Sequence, residues 1–537
     1  MKNMIYILLV LFFLGFAINA PAQVTGEFPY FESFRNDKKP DGIKTPTPSN
    51  GMVNSVEFEK FGVVLTPNSL DRFGAIYLEN HQFTSKAGIF ISFEYMISEG
   101  DGGDGMTLFF FDATKNPGIG APGAGIGYTY NRSVNNTQFS KFRSIGLGGA
   151  YLGIAFDSYG NFKKMRYQGE SRVNGIPYNH PVRGNGVTAG IDGGNDVTLR
   201  GAMNPTGMTT PSGSPIPGIG AGYYGYPVLV TQRTTENIGL RLQSSGDHVW
   251  ERYDQLKAKK PFAIRGGTEF ERPTDPGYRK AFVELFPENG GGFSISVMIQ
   301  TETGRDTIIY DYKYRESFSY RENAITNSSG DNYENDDLLF ESPTRTLDAT
   351  VPKALKIGFA AATGATGMAD PRKDRHAMKN LSVILPRSAE AYDDFVDDKY
   401  QGTKVTFQPL LNDIGYKGTV SRVQAPCPEC IDGETFRFIQ NDGKVSPTPY
   451  EYTVPNEGKW TYNKSTETVT FEPISTFLGE ARVKYDIKGG KIDSNPYASE
   501  SYRSTPATIG VDIIVNPNPP TQTKIISNKM VTGRFRK

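Results

Sequence analysis

Short runs of residues that are either wholly apolar or alternate apolar with polar recur along the chain, cut from one another by glycine, asparagine and proline. Gly62-Val63-Val64-Leu65-Thr66, Ile89-Phe90-Ile91-Ser92-Phe93-Glu94-Tyr95 and Met106 to Phe111 set the pattern. Tyr151 to Phe156, Phe282 to Phe286, Phe293 to Ile299 and Leu355 to Ala361 repeat it. Period-two alternation buries one face of a strand and a fully apolar run buries both, so segments of this length between turn formers read as strands of a sandwich. No long amphipathic helix pattern competes. The 59 glycines, 29 tyrosines and 34 phenylalanines, against 2 tryptophans and 2 cysteines, fit strands and turns.

At 537 residues the chain has room for two or more domains. Met1-Lys2-Asn3 followed by the apolar stretch Met4 to Phe16 reads as a signal peptide over residues 1–22, with Ala20-Pro21-Ala22 before cleavage and Gln23 as the mature terminus. That stretch is too short to span a bilayer comfortably, and no second apolar run of spanning length follows. The protein is therefore expected to be exported, secreted or cell-surface associated, without a transmembrane segment in the mature chain. Lys and Arg number 58 and Asp and Glu 58, so there is no global field to gather nucleic acid or anionic membrane. Local sites must do the binding.

Asn204 to Gly225 is rich in Gly, Pro, Ser and Thr and reads as a long loop. Ser328 to Asp337 gathers Asp331, Glu334, Asp336 and Asp337, either a solvated acidic loop or a calcium loop. A composition shift at Pro386 to Lys399 divides a first domain, 23–386, from a second, 387–516, and residues 517–537 form a basic tail. Cys427-Pro428-Glu429-Cys430 has the spacing of a redox motif, half a zinc site or a small loop disulfide. The βαβ setting and the further ligands that the first two need are not visible, and export favours the third.

The first domain resembles the L-type, legume-like lectins in several ordered blocks. Gly62 to Asn68 with Gly74-Ala75-Ile76-Tyr77 looks like the early strands, Gly103-Asp104-Gly105 followed by Met106 to Phe111 like the Asp-Gly strand entry, and Tyr151 to Phe162 like the metal-loop strand of bacterial surface members. Ile357 to Gly364 with His376 to Val383 resembles the closing strand pair. The resemblance implies an all-β, concanavalin A-like jelly-roll sandwich that binds carbohydrate. A sugar presents neighbouring hydroxyls, each donor and acceptor, and a carboxylate and an amide fixed at a sheet edge take several hydrogen bonds from them. On that resemblance Asp104, Gly125, Asn161, Ala365 and Thr366 contact carbohydrate, while Asp157, the Tyr159 carbonyl and Asn161 hold calcium. Tyr128 or Tyr159 could stack on an apolar sugar face. Ala155 stands where plant members carry a glutamate for a transition metal, so no transition metal is expected, and Asp192 or Asp196 would have to complete the calcium set.

The second domain resembles the β-sandwich repeats of bacterial surface adhesins, of the CshA type or cadherin-like. Val405-Thr406-Phe407, Gly458-Lys459-Trp460-Thr461, Val469 to Pro473 and Val483-Lys484-Tyr485 carry that resemblance, which implies a spacer. The function implied is a calcium-assisted, carbohydrate-binding surface adhesin whose partner is a glycan or polysaccharide. The alternative is a structural adhesin or protein-binding spacer that meets surface proteins. A polysaccharide-degrading enzyme would need a Glu-x-Asp-x-x-Glu strand that the sequence lacks. The four histidines make no His-x-x-x-His pair and no Gly-x-Ser-x-Gly elbow occurs, so hydrolase machinery is not expected.

Overall fold

A computed structural model of the chain describes residues 28–517, apart from 131–143, 164–171, 174–175, 178–193, 206–224, 247, 253–260, 268–272, 322–323, 326–339, 342–343, 368–369, 417–421, 424–425, 441–442 and 491–499. The expected signal segment, the acidic run within 328–337, most of the loop after Asn204, Asp192 and the basic tail beyond 517 lie outside the described residues. Contacts divide the chain into two compact units. The first runs to Ser388 and takes in Tyr416–Pro426 and Ser499–Thr505, and the second comprises the remainder from Ala389.

The first unit is built on two mainly antiparallel sheets. One is eight-stranded and carries, in order, Gly304–Tyr314, Phe293–Thr301, Lys280–Pro287, Ile89–Ser98, Arg375–Ile384, Gly62–Thr66 and Glu57–Glu59, with Tyr30–Glu32 pairing onto Arg375–Ile384. The other is twelve-stranded, and its centre reads Val228–Arg233, Asp196–Arg200, Ala150–Asp157, Gly105–Asp112, Ala354–Ala362 and Phe73–Leu78. Each of the two late strands enters a sheet between early ones: Ala354–Ala362 between Gly105–Asp112 and Phe73–Leu78, Arg375–Ile384 between Ile89–Ser98 and Gly62–Thr66. Both sheets are therefore closed by residues far along the chain, so the strand that Asp104 precedes and the strand that ends at Asp157 are central rather than edge strands.

Alternation explains the packing. Ile91, Phe93 and Tyr95 point into the space between the sheets and meet Met106, Leu108, Phe110, Ile154 and Phe156 from the opposite layer. Phe93 stands edge-on to Phe156 at 5.8 Å and to Phe359 at 4.9 Å between ring centroids. Phe109 and Phe111 face the other way, and they are buried too, under Ile119, Ile126, Tyr128 and Tyr226. A strand with apolar layers on both faces is the reason the Met106–Phe111 sequence is an unbroken apolar run. Each such side chain removed from water contributes about 1.5–3 kcal/mol before its ordering entropy is set against it.

The second unit pairs Asp394–Tyr400, Ala507–Ile514, Gly479–Lys488 and Asp432–Ile439 in one sheet, and Val405–Phe407, Thr468–Pro473, Gly458–Asn463 and Glu451–Val454 in another. Trp460 stacks on Phe471 at 4.3 Å, and Phe436 lies parallel to Tyr462 and Tyr485. Cys427 and Cys430 are joined in a disulfide around one short helical turn, so of the three readings of that spacing the loop disulfide is the one formed. The fold class expected from the sequence holds: strands dominate both units, and helix is confined to short 3-10 turns among the described residues.

Candidate functional site

The site follows from one strand register. Gly105 lies opposite Asp157, and Asp157 lies opposite Asp196 on the next strand. Asp104, immediately before one strand, and Ser158 to Asn161, immediately after its neighbour, thus meet at one end of the sheet. The Asp104 carbonyl accepts from the backbone N–H groups of Ser158 and Tyr159 at 3.1 and 3.2 Å, and Ser158 Oγ donates to the Gly103 carbonyl at 2.8 Å. Gly105 has φ +136°, and a β-carbon there would sit 2.4 Å from the Phe156 carbonyl oxygen, so only glycine lets the two chains approach this closely.

At that end Asn161 Nδ2 donates to Asp104 Oδ1 at 3.0 Å. An ionised carboxylate only accepts, so this bond fixes which way the amide points and leaves Asn161 Oδ1 and Asp104 Oδ2 outside it. Both of these oxygens are buried and neither has a donor among the described residues. Burial pushes the Asp104 pKa up to about 6, against the Asn161 hydrogen bond that pulls it down. Two adjacent acceptors, one charged, held rigidly and left without donors, form an arrangement that neighbouring hydroxyl groups would complete.

Two loops border the pair. Gly123–Gly125 forms a 3-10 turn, and Gly123, at φ +61°, is the residue next to the carboxylate: a β-carbon there would lie 3.9 Å from Asp104 Oδ2 and touch nothing else. Gly125 donates its N–H to the Pro122 carbonyl at 3.4 Å, while Ile126 and Gly127 donate theirs to Gly123 and Ala121. Gly123, the first residue of the Gly123 to Gly127 run that the lectin resemblance marks as the ligand loop, is thus the glycine of that run that lies next to the Asp104 carboxylate. The second loop follows the Ala354–Ala362 strand and lies over Gly100 to Gly103, where Asp101 N–H donates to the Lys373 carbonyl at 2.9 Å. Ala365 and Thr366 belong to it. Thr366 is exposed, and both its N–H and its hydroxyl are held by the Asp71 carboxylate. Tyr159 is half-buried with the Arg372 guanidinium 5.8 Å from its ring centre, which keeps it near the site. Tyr128 is not available for stacking on a ligand: it is fully buried in the layer outside the sheet, with its hydroxyl on the Gly201 carbonyl at 2.8 Å.

Behind the pair lies a buried set of charges. Asp157 is wholly buried, and its two oxygens accept from Gly160 N–H at 2.6 Å and Phe162 N–H at 2.9 Å. These bonds close the Asp157–Phe162 turn that presents Asn161. Lys163, also wholly buried, donates to Asp196 Oδ2, and Arg233 Nε donates to Asp196 Oδ1 at 3.1 Å. Arg200 holds the Phe162 carbonyl through Nε at 3.0 Å and a terminal nitrogen at 2.7 Å. Burial raises the Asp157 pKa to about 7, with Lys163 pulling it down, Asp196 pushing it up and the two backbone bonds pulling it down.

These contacts test the calcium set that the lectin resemblance implies. Calcium takes six to eight oxygen ligands. Here the Asp157 oxygens accept backbone N–H groups, the Asp196 oxygens accept from Lys163 and Arg233, and the Phe162 carbonyl accepts from Arg200. No three His, Cys, Asp or Glu side chains among the described residues are grouped to hold a metal ion. Asp196 does arrive beside Asp157, as the sequence suggested, but it comes with two cations of its own. Of the expected ligands, the Asp157 carboxylate is thus already engaged by backbone N–H groups, while Asn161 Oδ1 is left without a donor among the described residues. Lys163, Arg200 and Arg233 were missed because nothing in a one-dimensional reading marks a lysine or arginine as buried, although Lys163 directly follows the Asn161-Phe162 of the loop block.

No family model matches the sequence, and none of the curated proteins does. Among solved structures, the chain is similar to lectin I-B4 from Griffonia simplicifolia in its metal-free form, at 9% identity over 66% of this chain and 98% of that one, with a TM-score of 0.30. It is similar to the Bauhinia forficata lectin in complex with GalNAc, at 10% identity over 66% and 99% of the two chains with a TM-score of 0.28. It is also similar to the exoplasmic/lumenal domain of VIP36 in its Ca2+/Man3GlcNAc-bound form, at 12% identity over 66% and 90% with a TM-score of 0.25.

Proposed function

We propose that the chain is an exported, lectin-like protein that binds a glycan or polysaccharide on the Asp104–Asn161 pair and breaks no bond in it. The observation that supports this reading is the two remaining oxygens of the hydrogen-bonded pair, Asp104 Oδ2 and Asn161 Oδ1, both buried without donors among the described residues. Adjacent sugar hydroxyls supply two O–H donors at neighbouring positions, and the charged member makes the stronger bond. Because the acceptors are held by the strand register, little ordering is left for binding to impose. Tyr159 offers a ring beside the pair for an apolar sugar face.

Hydrolysis of a glycosidic bond needs two carboxyl groups across a cleft. Asp157, the acid nearest to Asp104 in the strand register, has both oxygens engaged by backbone amides inside the turn, so it serves the fold rather than a reaction. The second unit is read as a spacer that carries the first at a surface. Calcium assistance, expected from the lectin resemblance, is left out of the reading because the Asp157 and Asp196 carboxylates are already held by N–H donors. A broad glycan array probed with the full chain tests the proposal: binding that Asp104→Ala abolishes supports it, and an array blank for the wild type overturns it.

A further inference from the structure

We infer that the Lys163 ammonium is the built-in cation of the ligand-presenting turn, so that the site keeps its geometry without a divalent metal. The inference deepens the carbohydrate-binding reading, since it concerns the turn that carries Asn161, but its evidence is independent of any ligand.

Asp157 and Asp196 are register partners on adjacent central strands, and both are completely buried. Two carboxylates brought that close inside a protein repel one another and have lost their hydration, so they need a positive charge close by. Lys163 supplies it. The residue is as buried as the two acids, its ammonium donates to Asp196 and it attracts Asp157. It also follows Phe162 directly, so the chain that forms the Asp157–Phe162 turn ends by returning its own cation to the acids at the base of that turn. Arg233 takes the other Asp196 oxygen. Arg200 takes the Phe162 carbonyl, its guanidinium 5.2 Å from the Phe162 ring centre. The four carboxylate oxygens of Asp157 and Asp196 thus all face N–H donors. A tethered ammonium is always present at full occupancy, whereas a bound ion has to be acquired from solution and can be lost to a chelator.

As a positioning residue, Lys163 acts on Asn161 through the turn and has no direct role in contacting a ligand. The test uses the full chain, dialysed against EDTA. Titration calorimetry with calcium chloride is expected to give no binding heat for the wild type, and its thermal midpoint is expected to be the same in EDTA and in millimolar calcium. Lys163→Ala, which leaves two facing carboxylates and an open space, is expected to melt several degrees lower in EDTA and to recover part of that loss when calcium is added. Calcium uptake by the wild type, or a lower wild-type midpoint in EDTA, overturns the inference. So does an alanine variant that melts with the wild type, or one indifferent to calcium. If the variant does not fold, the wild-type calorimetry decides alone. None of these readouts uses a glycan, so a failed array and a failed cation assignment are told apart.

Discussion

Asp104→Asn should stabilise the protein at neutral pH while removing its ligand binding. The Asp104 carboxyl has a pKa of about 6 in place of 3.8, and burial is the main cause. At ~1.4 kcal/mol per pH unit, keeping that group charged costs the folded state about 3 kcal/mol at neutral pH. The native state holds the proton more tightly than the unfolded chain does. The stability contribution is therefore highest below about pH 4, declines as the pH rises towards 6, and stays low above it. Asparagine has nearly the same shape, accepts the Asn161 hydrogen bond through its carbonyl and carries no charge to desolvate. The gain is thus largest near pH 7 and vanishes below about pH 4. With an unfolding entropy of ~2.1 cal/mol/K per residue, 3 kcal/mol in a unit of this size is a shift of about 4 °C. Scanning calorimetry of wild type and variant across that pH range, alongside glycan binding, measures both halves. A variant that melts below the wild type at neutral pH, a difference that does not change with pH, or retained binding would refute the reasoning.

Because the ligand hydroxyls donate to an ionised Asp104, affinity should be flat above about pH 6 and fall by up to tenfold per pH unit below it; calorimetric titration with a bound glycan checks this, and a level profile down to pH ~5 would contradict it. Gly123→Ala puts a methyl group 3.9 Å from Asp104 Oδ2 on a residue at φ +61°. It should weaken binding at least ~tenfold while costing only about 1–2 kcal/mol of stability, read from affinity and denaturation together. In the second unit, Tyr485 donates its hydroxyl to the buried Asp413 carboxyl, with both oxygens within 3.0 Å. Tyr485→Phe should cost about 1–3 kcal/mol in denaturant unfolding, with glycan binding unchanged.

Most of the strand framework was legible in the sequence because burial on one or both faces imposes a period. Gly62 to Thr66, Ile89 to Tyr95, Met106 to Phe111 and Tyr151 to Phe156 are all strands where the pattern put them. The Asp104–Asn161 meeting was legible only through block order, since the two are distant in the chain and joined by a register that periodicity cannot give. Tyr128 illustrates the reverse failure. It was read as a ring able to stack on a sugar, yet Ile119, Ile126, Leu147 and Tyr226 pack with it as a second apolar layer and bury it. Lys163, Arg200 and Arg233 were invisible for a related reason. Cations are ordinarily solvated, and only the strand register that brings Asp196 against Asp157 creates a buried place for them.

The most direct measurement is a glycan array read in parallel with calcium and with EDTA, using wild type and Asp104→Asn. A metal-independent pair of acceptors predicts the same positive glycans in both buffers and none for the variant. A blank wild-type array, or a signal that disappears in EDTA, would contradict it.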